Sequence, residues 1–103
     1  MVVPERTDEQ RRAALERAQE VRTTRASIKQ MLGAGEISLA DLLERADDND
    51  VVAGMRVSDV LRALPRIGPV RSRRLMEGLD IAASRRLGGL GPRQRRDLLD
   101  ALS

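Results

Sequence analysis

The chain contains no phenylalanine, tyrosine, tryptophan, cysteine or histidine among its 103 residues. Without Cys or His there is no thiol nucleophile, no imidazole base and no ordinary zinc site. Carboxylates remain, but they are scattered through helical patterns rich in basic partners and nominate no acid–base pair. Catalysis, a metal site and a cofactor are therefore not expected. Without aromatic rings, unpaired bases have no platform to stack on, which disfavours dedicated single-strand binding. No run approaches the ~20 apolar residues of a membrane span. The polar, acidic start Pro4-Glu5-Arg6-Thr7-Asp8-Glu9 does not resemble a secretory signal. The expectation is a cytoplasmic protein with no membrane partner.

Apolar residues still make up 41% of the chain, against 34% charged, so a core of Leu, Ile, Val, Ala and Met is affordable and wholesale disorder is not expected. The length fits one domain. The net charge is +3, unevenly spread: residues 1–35 carry +2, residues 36–65 carry −4 and residues 66–103 carry +5. This asymmetry fits a polyanion-binding face better than a uniformly solvated surface. Lys29 is the one lysine among 19 basic residues. Arginine favours forked contacts to phosphate, although high genomic G+C content produces the same bias.

In chain order, residues 1–6 read as a flexible lead. Thr7 and Gln10 form a capping-box pattern, so a helix is expected from Asp8 to a stop at Gly33, about 25 residues or roughly 37 Å long. Ala14, Ala18, Val21, Ile28 and Leu32 share a narrow stripe that also contains Arg25, with Arg11, Arg22 and Lys29 along one flank. So thin an apolar face predicts a helix that projects beyond the core at its start. Arg22, Arg25 and Lys29 are either solvated and snorkelling or a second basic edge along a nucleic acid. Ser38 and Asp41 cap a second helix carrying Leu39, Leu42, Leu43 and Ala46. Asp47-Asp48-Asn49-Asp50 lacks the Gly and closing Glu of a calcium loop and reads as an acidic turn. Val51, Val52 and Met55 predict a short helix ending near Arg56; a brief strand also fits, but no partner is evident nearby. Ser58 is expected to cap a helix burying Val60, Leu61 and Leu64.

The stretch from residue 64 to residue 79 organises the rest. Pro65 ends one helix and, with Gly68, forces a tight turn. Gly68 can cap the next helix with Pro69 at its first position. Val70, Leu75, Met76 and Leu79 form its expected inward stripe, and Arg66, Arg71, Arg73 and Arg74 crowd the turn. A second turn, Gly88-Gly89-Leu90-Gly91, precedes a helix opened by Pro92, with Leu98, Leu99 and Leu102 inward and Arg93, Arg95 and Arg96 close behind the turn. Arg85 and Arg86 lie between the two turns. One such turn is ordinary punctuation; two, each joined to an arginine cluster, favour nucleic-acid binding through helix N-termini and guanidinium groups. The spacing does not choose between DNA and RNA. The chain reads as all-α, with about five helices and no required strand.

Val57-Ser58…Leu61…Ala63-Leu64-Pro65-Arg66-Ile67-Gly68…Val70 resembles the actinobacterial integration host factor family. So do Leu75-Met76…Leu79…Ile81…Arg85-Arg86-Leu87…Gly89-Leu90-Gly91…Arg93-Gln94-Arg95…Leu98-Leu99 and the opening Pro4…Thr7-Asp8-Glu9-Gln10-Arg11…Ala13-Ala14-Leu15-Glu16. The resemblance implies a long N-terminal helix (residues 1–35 with the lead) on a helical DNA-binding core (36–103). A helix-two-turns-helix element would span about 57–103, the whole forming one structural domain. It implies a nucleoid-associated protein that binds double-stranded DNA with little sequence preference and shapes it for integration and chromosome organisation. A recombinase or integrase complex is then a further partner. Phosphate contact would fall to Arg66, Ile67, Gly68, Val70 and Arg71, and to Arg85 and Arg86, with Gly89 and Gly91 shaping the second turn.

Two departures stand out. The family usually has Lys where this chain has Pro69, and Arg where it has Gly88. Ile67, Gly68, Val70 and Arg71 are then left to donate amides, and the expectation is either a lower affinity than the family norm or a shift of contacts to Arg73, Arg74 and Arg93. Two rival readings are a helical RNA-binding protein of ribosomal type and a protein-interaction module. The first lacks the long basic tail usual there. The second would need a seam along the first helix, where Arg25 is poor for a coiled coil; the chain is therefore expected to be a monomer without DNA.

Overall fold

The computed structural model of the chain describes residues 7–103; the expected lead at 1–6, with Pro4 of the opening motif, lies outside them. The order of elements is α1 (Asp8–Gly33), α2 (Leu39–Ala46), α3 (Asp50–Ala53), α4 (Val57–Ala63), α5 (Pro69–Gly78), a 3-10 turn at Leu87–Gly89 and α6 (Pro92–Leu102).

Local chemistry sets most of these boundaries. The Thr7 side chain accepts from Gln10 N–H at 3.1 Å and Gln10 Oε1 accepts from Thr7 N–H at 2.9 Å, closing a capping box at the start of α1. Ser38 and Asp41 do the same for α2, at 3.1 and 3.3 Å. Such a cap is worth about 1 kcal/mol. At the far end of α1, Gly35 takes the left-handed conformation (φ 74°), and the Gly35 and Glu36 amides reach Leu32 and Met31 carbonyls at 3.1 and 2.9 Å. This Schellman closure, with Gly35 two residues beyond Gly33, ends the helix at the expected Gly33. α5 ends the same way with Asp80 in the left-handed position (φ 56°): Asp80 and Ile81 amides donate to Glu77 and Met76 carbonyls at 3.2 and 2.8 Å. Ile81 and Met76 are both buried, supplying the apolar contact that accompanies this motif.

α1 reaches the core only near its end, where Ile28 and Leu32 are buried; its first half projects, giving a particle of 57 × 29 × 26 Å. Leu15 on that half is 70% exposed. Leu32, Leu42, Val57, Val60, Leu61, Leu87 and Leu98 are wholly enclosed. Each buried Leu or Val contributes about 1.5–3 kcal/mol, which lets an aliphatic core stand without aromatic rings.

The structure differs from the sequence reading at several places. The segment at 55–57 forms no strand but does find a partner in a single isolated bridge: Arg56 pairs antiparallel with Arg86, thirty residues on. Val57 N–H donates to Arg85 C=O at 3.0 Å and Leu87 N–H to Met55 C=O at 2.9 Å. Because this bridge holds Arg56 extended, α4 starts at once at Val57, and Ser58 sits inside the helix instead of capping it. In the first turn the left-handed residue is Arg66 (φ 67°), while Gly68 is extended. Val70 is 51% exposed and does not join the inward stripe; Ser72, Met76 and, in part, Leu75 and Leu79 form it. The turn delivers the chain into α5 with Ile67 pointing inward, which rotates Val70 to the solvent side.

Candidate nucleic-acid interface

The first turn combines strain, exposed backbone and charge. Leu64 is extended ahead of Pro65, Ile67 N–H closes the turn on Leu64 C=O at 3.3 Å, and the Ile67 side chain is buried. Ile67 therefore anchors the turn, and its amide, expected to face a ligand, is already taken. No side chain caps α5, and its first backbone bond is from Ser72 N–H to Gly68 C=O at 3.0 Å. The amides of Gly68, Val70 and Arg71 have no acceptor among the described residues, and these three residues are exposed. Three open donors at the positive end of a ten-residue helix favour an anion. α6 repeats the pattern more weakly: Gly91 is its N-cap, its amide donates to Gln94 Oε1 at 3.1 Å, and the first helical bond is Arg95 N–H to Gly91 C=O at 3.0 Å.

The arginines divide by what holds them. Arg25 Nε donates to Val51 C=O at 3.0 Å, Arg85 Nη1 to Gly89 C=O at 3.1 Å, Arg86 Nη1 to Gly54 C=O and Arg71 Nη1 to Arg66 C=O at 3.5 Å. A neutral carbonyl steers a guanidinium without cancelling its charge, so these groups remain cationic and oriented. Gly54 leaves room for Arg25, whose guanidinium a Cβ there would strike. Arg85 Nε is buried without a partner. In contrast, Arg93 lies 3.8 Å from Asp97, Arg96 shares that carboxylate at 3.9 Å, and Arg95 holds Asp47 at 2.8 Å while donating to Leu43 C=O at 3.4 Å. The second turn's cations are thus largely compensated, and the acidic turn is drawn into pinning α6 to α2; Asn49 beside it caps α3. Among the described residues no group of three Asp or Glu converges as metal ligands.

The bridge places Arg56 directly opposite Arg86 at a pair whose hydrogen bonds lie on either side of it. Side chains approach closely at such positions, and like charges opposite one another oppose folding unless an anion joins them. The two arginines line a cleft of about 270 Å³ with Arg25 and Lys29 of α1 and with Asp59. The structure therefore brings the α1 edge to Arg86, which sequence spacing alone did not connect. Arg22 stays outside, with Nη2 on Gln19 Oε1 at 2.9 Å. Arg74 is exposed on α5, Arg73 lines the groove between α4 and α5, and Arg66 borders an apolar groove with Leu99 and Leu102. Gly89 supports the Arg85 side chain, which would lie 3.3 Å from a Cβ there. Arg56 and Arg62 escape a reading by charge clusters because both lie in the acidic third of the chain; their signal is their place at either end of a short helix.

Helices α4 and α5 flank the first turn and α6 follows the second, and residues 32–102 match the family model described as the S13-like H2TH domain, a helix-two-turns-helix class. Within that class the chain belongs to the integration host factor family. It is 46% identical over 100 residues to the integration host factor of Mycobacterium tuberculosis, covering 97% of this chain and 95% of that protein. The same figures relate it to the integration host factor of Mycolicibacterium smegmatis, and it is 44% identical over 94 residues to that of Streptomyces coelicolor, covering 91% of this chain and 88% of that one. A solved structure of sIHF bound to an 8 bp palindromic DNA superposes with a TM-score of 0.83 at 38% identity, covering 85% of this chain and 99% of that one.

Proposed function

We propose that this protein binds duplex DNA through its phosphate backbone, with little sequence preference, as an architectural protein of the nucleoid. The observation that carries this reading is the row of open amides at the start of α5 beside Arg71, whose guanidinium is steered by the Arg66 carbonyl. The integration host factor names of its relatives and the DNA-bound sIHF structure support it. In this reading Gly68, Val70 and Arg71 amides meet one phosphate, flanked by Arg66, Arg71 and Arg74. Arg86, with Arg25 and Lys29, takes another across the 56–86 bridge, and Arg85 lends charge between them. Contacts to phosphate position a duplex without reading its sequence. Holding two separated points bends or bridges it, in chromosome organisation and in integration alongside a recombinase or integrase complex. The role is binding and not catalysis, by a chain that is monomeric without DNA. Among the described residues no helix is long and apolar enough to cross a membrane.

The test compares the unchanged chain with an Arg71→Ala/Arg74→Ala variant on matched double-stranded DNA and double-stranded RNA by fluorescence anisotropy. Binding to duplex DNA that weakens in the variant is expected. Tighter binding to the RNA would transfer the surface to an RNA backbone, and no binding to either would leave the arginines as solvated surface.

A further inference from the structure

The groove between α1 and α4 meets the groove between α4 and α5 at one ridge, because Arg62 and Pro69 line both. Lys29 lies across the first groove and Arg73 across the second. Lys29 and Asp59 also line the cleft holding Arg56 and Arg86, so the three recesses form one continuous track from the bridge to the start of α5. Arg62 is exposed and, among the described residues, has no carboxylate within 4.0 Å and no side-chain hydrogen bond. Pro69 beside it offers neither an N–H nor a charge.

We propose that Arg62 is a phosphate-contacting residue, acting with Lys29 and Arg73 to supply, from α4, the charge that Pro69 cannot supply from α5. The proposal rests on the DNA-binding reading above. It turns the two separate grips into a single path, in which a backbone leaving the first turn passes Arg62 and Lys29 before reaching Arg56 and Arg86. Asp59 is the one carboxylate shared by the two recesses on the α1 side. A negative group on a phosphate path opposes binding at close range, so Asp59 tempers the affinity of this track.

The experiment is anisotropy with a duplex of about 25 bp over a salt series. Loss of one phosphate contact flattens the slope of log affinity against log salt by about 0.9 and weakens binding about eightfold near 0.1 M salt. Arg62→Gln is expected to do both while leaving the circular dichroism spectrum and melting unchanged. Pro69→Lys in that background is expected to restore affinity and slope, and Asp59→Asn in the unchanged chain to tighten binding. If Arg62→Gln leaves the slope unchanged while Arg71→Ala still flattens it, the Arg62 assignment is wrong and the DNA reading stands. Failure of the unchanged chain to bind duplex DNA overturns both.

Discussion

Gly88 offers a test of how closely the second turn is fitted to the core. A Cβ built at Gly88 would lie 2.9 Å from Ala53 Cβ and 3.3 Å from Ala53 O. Unstrained carbon contacts sit at about 3.5–4.0 Å, so one segment must yield by roughly 0.6–1.1 Å. Neither yields easily. The 3-10 turn is fastened by Leu87 N–H to Met55 C=O at 2.9 Å and by Arg86 to Gly54 C=O, and Val52 beside Ala53 is buried. Overpacking of this kind costs about 1–3 kcal/mol. For a chain of this size Gly88→Ala should therefore lower Tm by about 4 °C or more, read by circular dichroism at 222 nm. The obstruction is chiefly one methyl group, so Ala53→Gly should relieve it. Alone, that change costs up to about 1 kcal/mol in helix propensity; combined with Gly88→Ala it should show a favourable coupling of about 1 kcal/mol or more. A Gly88→Ala protein melting within about 1 °C of the unchanged chain, or strictly additive effects, would refute the contact. The rescue also bears on function: Gly88→Arg in the Ala53→Gly background adds a cation beside Arg85 and Arg86 and should steepen the DNA salt slope by about 0.9.

Two further outcomes separate stability from binding. Arg66→Gly removes a side chain from a left-handed backbone position (φ 67°), so it should leave the fold as stable or up to about 1 kcal/mol more stable, while flattening the DNA salt slope by about 0.9. Denaturant melts and anisotropy on the same sample check it; a destabilised fold with an unchanged slope would contradict it. Arg95→Ala should do the reverse. It releases Asp47, itself 63% exposed, and the Leu43 carbonyl, costing about 1 kcal/mol and lowering Tm by about 4–8 °C, with the salt slope unaltered.

What could be read from the sequence was the chemistry that acts over three or four residues. Thr7 with Gln10, Ser38 with Asp41, Pro65 after Leu64, and Gly68-Pro69 and Gly91-Pro92 fix helix ends through bonds to near neighbours, and they stand where spacing predicted. The projecting start of α1 followed from its thin stripe of small apolar residues. What escaped depends on pairings made by the fold. The Arg56–Arg86 bridge joins segments thirty residues apart, and its backbone bonds, not Ser58, decide where α4 begins. A positive φ at Arg66 could not be read with Gly68 two residues on, the more obvious candidate. Val70 looked buried by periodicity, but the register of α5 is set by Ile67 upstream. The charge clusters were visible as composition, yet only the structure separates Arg95, joined to Asp47, from Arg86, steered by a carbonyl toward Arg25 and Lys29.

Phosphate recognition by uncompensated cations and open amides is the centre of the proposed function, and the salt dependence of duplex DNA affinity measures it directly. With roughly 4–6 phosphates neutralised, log affinity against log salt should fall with a slope near −4 to −5. The Arg71→Ala/Arg74→Ala variant should lose about two units of that slope. A slope flatter than about −1 for the unchanged chain, or equal slopes for both proteins, would contradict backbone recognition by this turn.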